Sequence, residues 1–171
     1  LLFHAWAFDT LVEDGCVKGA RFLTKQGALD IQAQVTVDAT GDGDIAWKAG
    51  VPFEQGRPGD GLAQPVTIMF HIAGVDESRA FVGSSEQRAK EIRVPGGTWE
   101  EVIQRGQEQG ELSPTVGVIR TYATRRPGER GINATQVNHI DGTSAEDLTR
   151  AELEGRKQAY QVLTPLKKLA L

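Results

Sequence analysis

The sequence predicts an α+β fold, in which a strand-rich N-terminal part precedes a part that mixes helices and strands. Three observations lead to this prediction. Residues 1–50 contain short apolar segments separated by turn signals such as Asp14-Gly15. Residues 51–61 are rich in proline and glycine, as is typical of a crossing between domains. Beyond them, capping-box spacings and apolar residues at helical spacing indicate helices between further strands.

The N-terminal part is predicted to form a three-stranded antiparallel meander. Leu1 to Asp14 is rich in apolar and aromatic residues, and Cys16 to Thr24 mixes apolar and polar residues as strands do. A second turn signal, Gln26-Gly27, leads into the third strand. Cys16 is the only cysteine, so no intrachain disulfide is possible, and we expect a small half-buried residue there.

The most informative segment is Val35 to Asp44, which reads Val-Thr-Val-Asp-Ala-Thr-Gly-Asp-Gly-Asp. Val35 to Val37 is predicted to be a buried strand that ends in Ala-Thr-Gly. Gly41 and Gly43 then free the backbone for conformations that side chains disfavour, so a phosphate or ribose can approach main-chain N–H groups. The segment is a candidate nucleotide-binding edge, and an ordinary turn is the alternative.

The second part is predicted to contain three strands and three helices. The strands are Val66–Ile72, Val116–Thr124 and Ile132–Ile140, the last two joined as a hairpin. The helices are Ser84–Ile92, Thr98–Gln109 and one that begins after Thr143. Thr98 with Glu101 and Thr143 with Glu146 have capping-box spacing. Pro165 is expected to kink or end the last helix.

Several segments of the chain occur in an order that points to a known family. They include Asp38 to Ala46, Ala49 to Glu54 and Asp60 to Pro65, and similar segments continue as far as Arg156. Together they resemble the FAD-dependent oxidoreductase family of the glutathione-reductase-like flavoprotein superfamily. The resemblance implies a partial FAD/NAD(P)-binding domain over residues 1–50 and a substrate or cap domain over residues 51–171.

The same resemblance implies which residues contact the cofactor. Thr40, Gly41 and Asp42 match the segment that lies along the adenosine and pyrophosphate half of FAD, and Gly43 follows directly. Ala7 falls on the first strand, where the backbone usually contacts adenine. Asp44 is expected to cap the short helix that follows.

One part of the family pattern is missing from this sequence. A complete member would carry a strand, a Gly-x-Gly-x-x-Gly turn and a helix whose N-terminus holds the pyrophosphate. No such turn occurs here, and the only methionine is Met69. We therefore expect an internal fragment of a longer protein. Its full-length parent is expected to bind FAD, and the fragment to bind it weakly or not at all.

Candidate catalytic residues are few. His4, His71 and His139 are candidates for acid–base chemistry because imidazole titrates near neutrality, and each is expected inside a strand. His71 and Gln64 are preferred because the resemblance places the nearby Asp60 to Pro65 loop toward the flavin and substrate. A carboxylate substrate could be held through a two-point guanidinium contact by Arg120, Arg125, Arg126 or Arg130, and a solvated turn is the alternative.

Composition limits the classes of partner. The formal net charge is −4 and no aromatic-basic stripe is present, so nucleic-acid binding is not expected. Membrane insertion and a metal site are not expected either, because no long apolar stretch occurs and the aspartates at 38, 42 and 44 lack the calcium-loop pattern. Cytoplasm is the default compartment, and the oligomeric state stays open.

The functional prediction is a fragment of an FAD-dependent oxidoreductase that transfers a hydride between a small organic substrate and flavin. The first alternative is a non-enzymatic β-rich binding module whose glycine motif is only a turn. A second alternative is a flavoprotein in which FAD has a non-redox role. The oxidoreductase prediction requires that Thr40 to Asp44 lies at the carboxyl end of a sheet and faces a groove of nucleotide dimensions, whereas the binding-module alternative does not.

Overall fold

The computed structural model describes residues 1–169, and its contacts divide the chain into two compact units. The first unit is Leu1–Gln55 and the second begins at Gly56. Helices make up 27% of the structure and strands 26%, and the sheets are antiparallel. The predicted α+β class is therefore confirmed.

The first unit is built on the predicted meander. It contains β1 (Trp6–Glu13), β2 (Cys16–Thr24) and β3 (Gly27–Gln32), paired antiparallel in the order β1-β2-β3, and the short helix α1 (Asp44–Lys48). Asp14 and Gly15 both have positive φ, at 51° and 73°, as the tight turn between β1 and β2 requires. Cys16 is exposed rather than half-buried, because it is the first residue of β2 beside that turn.

The predicted strand over Val35 to Val37 does not form. Beyond Ala33, whose amide still donates to Lys18 of β2, the chain to Asp38 forms no strand, and Val35 and Val37 are 80% and 82% exposed. β-branched residues favour strands only where a neighbouring strand and a packed face receive them. Since β3 ends at Gln32 and is entirely exposed, this segment finds neither.

Between residues 56 and 169, the second unit contains five strands in two sheets. They are β4 (Met69–Ala73), β5 (Arg93–Val94), β6 (Gly97–Thr98), β7 (Arg120–Ala123) and β8 (Glu129–Asn133). The larger sheet has the order β4-β8-β7, and β5 pairs only with β6. The predicted hairpin is confirmed, although both of its strands are shorter than expected and the second begins at Glu129. Beyond it, Val137 forms only an isolated bridge to Val66.

The described part of the second unit also contains three helices: α2 (Glu86–Glu91), α3 (Trp99–Glu108) and α4 (Ala145–Lys168). The predicted capping box of α3 is confirmed, since Glu101 N donates to Thr98 Oγ1 at 3.2 Å and Thr98 N donates to Glu101 Oε2 at 2.8 Å. Within residues 1–169, no helix combines the length and apolar character needed to cross a membrane.

One expectation for α4 is wrong, the capping box that begins at Thr143. Its N-cap is Ser144, whose Oγ accepts from Asp147 N, while Thr143 Oγ1 donates to Asp141 Oδ1 at 2.7 Å. The Asx-type turn at Asp141 occupies the Thr143 hydroxyl, so the cap moves one residue on. Pro165 does not end the helix, which continues to Lys168.

The core of the second unit lies between the β4-β8-β7 sheet and helices α3 and α4. Its largest fully buried side chains include Trp99, Leu112, Ile119, Ile132 and Leu166. The Trp99 indole Nε1 donates to the Ile119 carbonyl oxygen at 3.0 Å, so its polar atom is satisfied inside the apolar core. The ring also packs edge-on against Phe81 with 5.4 Å between centroids.

An ion pair joins β8 to the loop that follows β4. The Arg130 side chain is only 9% exposed, and its Nη1 and Nη2 donate to the two Glu77 carboxylate oxygens at 2.9 and 2.5 Å. Gly128 N also donates to Glu77, at 2.7 Å. The hydrogen bonds from Arg130, followed by that from Gly128, lower the pKa of Glu77 from 4.5 to about 2. The Glu77 carboxylate thus stays ionised at pH values well below the ordinary pKa of a glutamate.

Glu77→Gln should make the stability of the second unit less dependent on pH. A carboxyl whose folded pKa is depressed stabilises the fold above its unfolded pKa, and this contribution disappears as pH falls from about 4.5 to about 2. We therefore expect the variant to be less stable than the wild type at pH 6, with the difference shrinking toward pH 2. Urea midpoints measured at stepped pH test this, with Glu108→Gln on exposed α3 surface as control. A difference that is constant with pH would contradict the assignment.

Candidate functional site

The Asp38 carboxylate organises the glycine segment of the first unit. Its Oδ1 accepts from Thr40 N at 3.0 Å and from Thr40 Oγ1 at 2.7 Å, and its Oδ2 accepts from Ala46 N at 2.8 Å. These hydrogen bonds, led by the one from the Thr40 hydroxyl, lower the pKa of Asp38. The carboxylate therefore ties the residues before Gly41 to the first turn of α1.

Gly41 and Gly43 hold the loop in an open conformation. Their φ angles are 100° and 77°, in the left-handed region that favours glycine. A β-carbon built on either residue would meet no heavy atom within 4 Å. The main chain of this loop, which we call the glycine loop (Thr40 to Gly43), is therefore accessible on the side that a side chain would occupy.

The N-terminus of α1 is not a spare anion site. Asp44 N donates to Thr40 Oγ1 at 2.9 Å, and the Ile45 and Ala46 amides stabilise the Asp38 carboxylate. Gly41, Gly43 and Ala46 have the spacing of a Gly-x-Gly-x-x-Ala dinucleotide turn, but no strand precedes them and α1 has only five residues. A cofactor would contact the glycine loop itself rather than the helix end.

The structure keeps the predicted cofactor residues in one unit. Thr40, Gly41 and Asp42 are exposed and consecutive, and Asp42 has no hydrogen-bonding partner among the residues described. Ala7 is half-buried on β1, the strand whose Thr10 hydroxyl donates to Ile45 O at 2.8 Å and so holds α1 in place.

Two expectations for the segment need comment. Asp44 is the first residue of α1 and not its cap, which is Gly43, because the Thr40 hydroxyl already serves the Asp44 amide. The prediction that the loop follows a strand is wrong, since Val35 to Val37 is irregular. In residues 1–169, no group of three or more His, Cys, Asp or Glu side chains is placed to hold a metal ion.

Residues of the second unit meet on the solvent-facing side of its larger sheet. Cross-strand partners share a face, and residues two apart on a strand share it too. The registers therefore place one set together, which we call the outer face: Met69, His71, Gly131, Asn133, Arg120 and Tyr122. His71 and Arg120 lie on the two edge strands, with β8 between them.

His71 is paired with a carboxylate that the sequence did not indicate. Its Nδ1 lies 3.1 Å from Glu129 Oε1, and the Glu129 side chain is only 16% exposed. The imidazole lies against Gly131, where a built β-carbon would be 3.6 Å from Nε2. Glu129 orients the ring, so Nε2 is the atom left for exchange with a ligand.

The other predicted candidate residues do not gather around His71. His4 and His139 are not in strands; both have positive φ, at 55° and 56°, in exposed irregular chain. Gln64 is exposed in the irregular segment before β4. Arg130 belongs to the buried pair with Glu77, and Arg126 lies 3.8 Å from Glu129. Arg120 lines a cavity of the second unit together with Glu86, Lys90 and Asn133.

Sequence reasoning missed the residues that act through distant partners. Glu129 becomes the partner of His71 only when β4 pairs with β8, and Asn133 lies opposite Arg120 only through the β7–β8 register. Asp38 could have been found, because an aspartate two residues before a threonine is a common side-chain-to-backbone turn signal.

The accessible glycine loop beside an α+β scaffold is consistent with a nucleotide cofactor held at the main chain. Residues 1–170 match the model of the family described as FAD dependent oxidoreductase. The chain therefore belongs to the FAD-dependent oxidoreductase family, whose function is flavin redox chemistry and whose cofactor is FAD. Neither a curated protein nor a solved structure matches the chain.

The glycine loop fits this cofactor on one flank. The two open glycines leave room for a ribose or phosphate to reach the main chain, and the free Asp42 carboxylate can accept from a ribose hydroxyl. The occupied amides at the start of α1 do not supply a pyrophosphate cradle. The sequence contains no Gly-x-Gly-x-x-Gly turn that could supply one.

Asp38→Ala should loosen the glycine loop more than Asp42→Ala does. The first change removes the acceptor of the Thr40 and Ala46 amides, while the second removes a carboxylate with no partner in the described chain. Hydrogen exchange measured on the purified chain should show the Ala46 amide exchanging roughly fivefold faster in the Asp38 variant. Equal protection of this amide in the two variants would show that Asp38 does not order the loop.

Proposed function

We propose that this chain is part of a longer FAD-dependent oxidoreductase of the glutathione-reductase-like superfamily that transfers a hydride between a small organic substrate and flavin. The observation that carries the proposal is the family match over residues 1–170. The missing Gly-x-Gly-x-x-Gly turn supports a contribution from further sequence, because the pyrophosphate needs such donors. Family membership also favours this reading over a non-enzymatic binding module.

FAD, when bound, supplies the acceptor or donor of the hydride. The chain's own residues hold it: the Gly41 and Gly43 backbone admits the adenosine and pyrophosphate half, with Thr40 fixing the loop through Asp38. Asp42 binds a ribose hydroxyl, and the Ala7 backbone contacts adenine. A carboxylate faces a ribose rather than a phosphate here, because like charges repel.

His71 is the proposed acid–base residue of the second unit. As the substrate carbon loses a hydride, a proton also leaves the attached oxygen or nitrogen, and the product is a carbonyl or imine. His71 Nε2 accepts this proton, and Glu129 stabilises the imidazolium from the Nδ1 side at 3.1 Å. Gln64 is kept as a second, exposed candidate for substrate contact.

An anaerobic titration tests the proposed chemistry directly. The full-length flavoprotein that contains this chain would be mixed with a panel of small hydroxy acids and amines, and bleaching of the visible flavin band recorded. We expect at least one compound to reduce the flavin stoichiometrically, with the matching carbonyl or imine as product. FAD that stays oxidised throughout, although dithionite bleaches it, would favour a non-redox role.

In the full-length protein, Gly41→Val should reduce FAD occupancy far more than His139→Ala. Valine is strained at a φ of 100°, and its side chain would occupy the open side of the glycine loop. Asp42→Ala should fall between the two. The flavin-to-protein absorbance ratio measures occupancy, and circular dichroism confirms folding. Full and equal occupancy in three folded variants would reduce the glycine loop to a structural turn.

His71→Gln should slow flavin reduction by about a hundredfold or more while FAD occupancy is unchanged. The amide keeps a hydrogen bond to Glu129 but takes up no proton at neutral pH. The rate of anaerobic flavin bleaching by the substrate found above is the measurement, with His4→Gln as the matched control. Equal rates in the two variants would remove His71 from the proposed mechanism.

A further inference from the structure

A polar cavity of about 270 Å³ opens in the second unit where α2 approaches the β7–β8 pair. Its walls include Glu86 and Lys90 from α2, Arg120 from β7 and Asn133 from β8. Ligand pockets for drug-sized molecules usually measure about 300–1,000 Å³, so this cavity suits a small ligand. Two cations and one carboxylate line it, and Lys90 also lies 3.7 Å from Glu100 Oε1, so Arg120 is the cation that an anionic ligand would mainly meet.

Arg120 is the side chain that this cavity leaves least satisfied. Its guanidinium is 28% exposed and lies 3.7 Å from Glu86 Oε2, which is too long for a hydrogen bond. Across residues 1–169, no hydrogen bond of this guanidinium is present. The five N–H donors of this partly exposed guanidinium are therefore available to a ligand that enters the cavity.

Glu86 is placed to yield to such a ligand. Its side chain is 59% exposed, and its contacts with Lys90 and Arg120 are 3.6 and 3.7 Å long. Exposed pairs of this length contribute little, so the carboxylate can turn into solvent at low cost. The long contacts also show that a carboxylate fits electrostatically between the two cations.

Hydrogen bonds fix the part of the cavity wall that Thr135 and Gln136 form. Gln158, which is 2% exposed on α4, accepts from Gln136 N at 2.8 Å and donates to Gln136 O at 3.2 Å. Thr135 Oγ1 accepts from Ile68 N at 2.7 Å. Backbone that is fixed from both sides gives a preformed wall, which lowers the entropy cost of binding.

We infer that this cavity binds a small carboxylate, with Arg120 as the two-point anchor, Lys90 as the second cation and the Asn133 amide as a flanking polar contact. A planar guanidinium matches a carboxylate in this way, and Asn133 lies directly opposite Arg120 in the β7–β8 register. The inference adds the class of substrate to the proposed function. That the bound carboxylate is the substrate rests on the proposed function, whereas its binding does not.

Binding of succinate to the purified chain, measured by calorimetry, tests the inference without flavin or turnover. We expect saturable binding at one site and no binding of the uncharged succinamide. Arg120→Gln should weaken succinate roughly tenfold or more, whereas Arg125→Gln, an exposed arginine of the β7–β8 turn, should leave it unchanged. Glu86→Gln should tighten binding, because it removes the competing carboxylate.

Three outcomes would overturn the inference: no succinate binding by the wild type, equal affinity in the Arg120 and Arg125 variants, or tighter binding of inorganic phosphate than of succinate. If Arg120→Gln does not fold by circular dichroism, the Glu86→Gln gain decides, and an unchanged affinity in that variant counts against the site. A failure here would leave the flavin chemistry of the proposed function untouched, since flavin reduction by an amine that carries no carboxylate does not require this cavity.

Discussion

The second unit depends on burying one face of the β4-β8-β7 sheet. Ile132 is fully buried in the core, and Phe70 and Ile72 pack against that core from β4. Because side chains alternate along a strand, these inward positions force their neighbours outward. His71, Gly131 and Arg120 therefore reach the outer face as a consequence of core packing. Gly131 adds no side chain of its own, so the imidazole can lie across β8 and reach Glu129.

The first unit solves a different problem with local hydrogen bonds. The glycine loop has no strand behind it to hold its shape, so the Asp38 carboxylate and the Thr40 hydroxyl carry the conformation instead. Two oxygens of one side chain bind both sides of the loop, and the Thr10 hydroxyl fixes α1 to β1. This arrangement leaves the glycine backbone accessible while using up the amides at the helix start. The open glycines therefore make the main chain accessible, whereas the hydrogen bonds of Asp38 and Thr40 keep the loop ordered.

Local sequence signals predicted the elements whose stability is local. The α3 capping box, the tight turn at Asp14 and the β7–β8 hairpin each depend on residues close in the chain, and each was anticipated. The strand over Val35 to Val37 was not found because strand propensity requires a partner strand. The cap of α4 moved to Ser144 because Thr143 had a competing acceptor. Pro165 is tolerated inside α4.

The candidate sites show the same division. The glycine loop could be predicted from the sequence, because its conformation depends on glycines, aspartates and a threonine that are close together in the chain. The cavity around Arg120 could not be predicted, since its charged and amide side chains come from α2, β7, β8 and the chain that follows β8. They meet only through the sheet register and the Gly83–Thr121 bridge. Arg120 drew attention as one of several arginines, yet neighbouring Arg130 is committed to a buried pair with Glu77. The two arginines of this hairpin thus differ in role because side chains alternate along a strand. Arg130 lies on the face of the sheet that also carries Ile132, and Arg120 lies on the outer face.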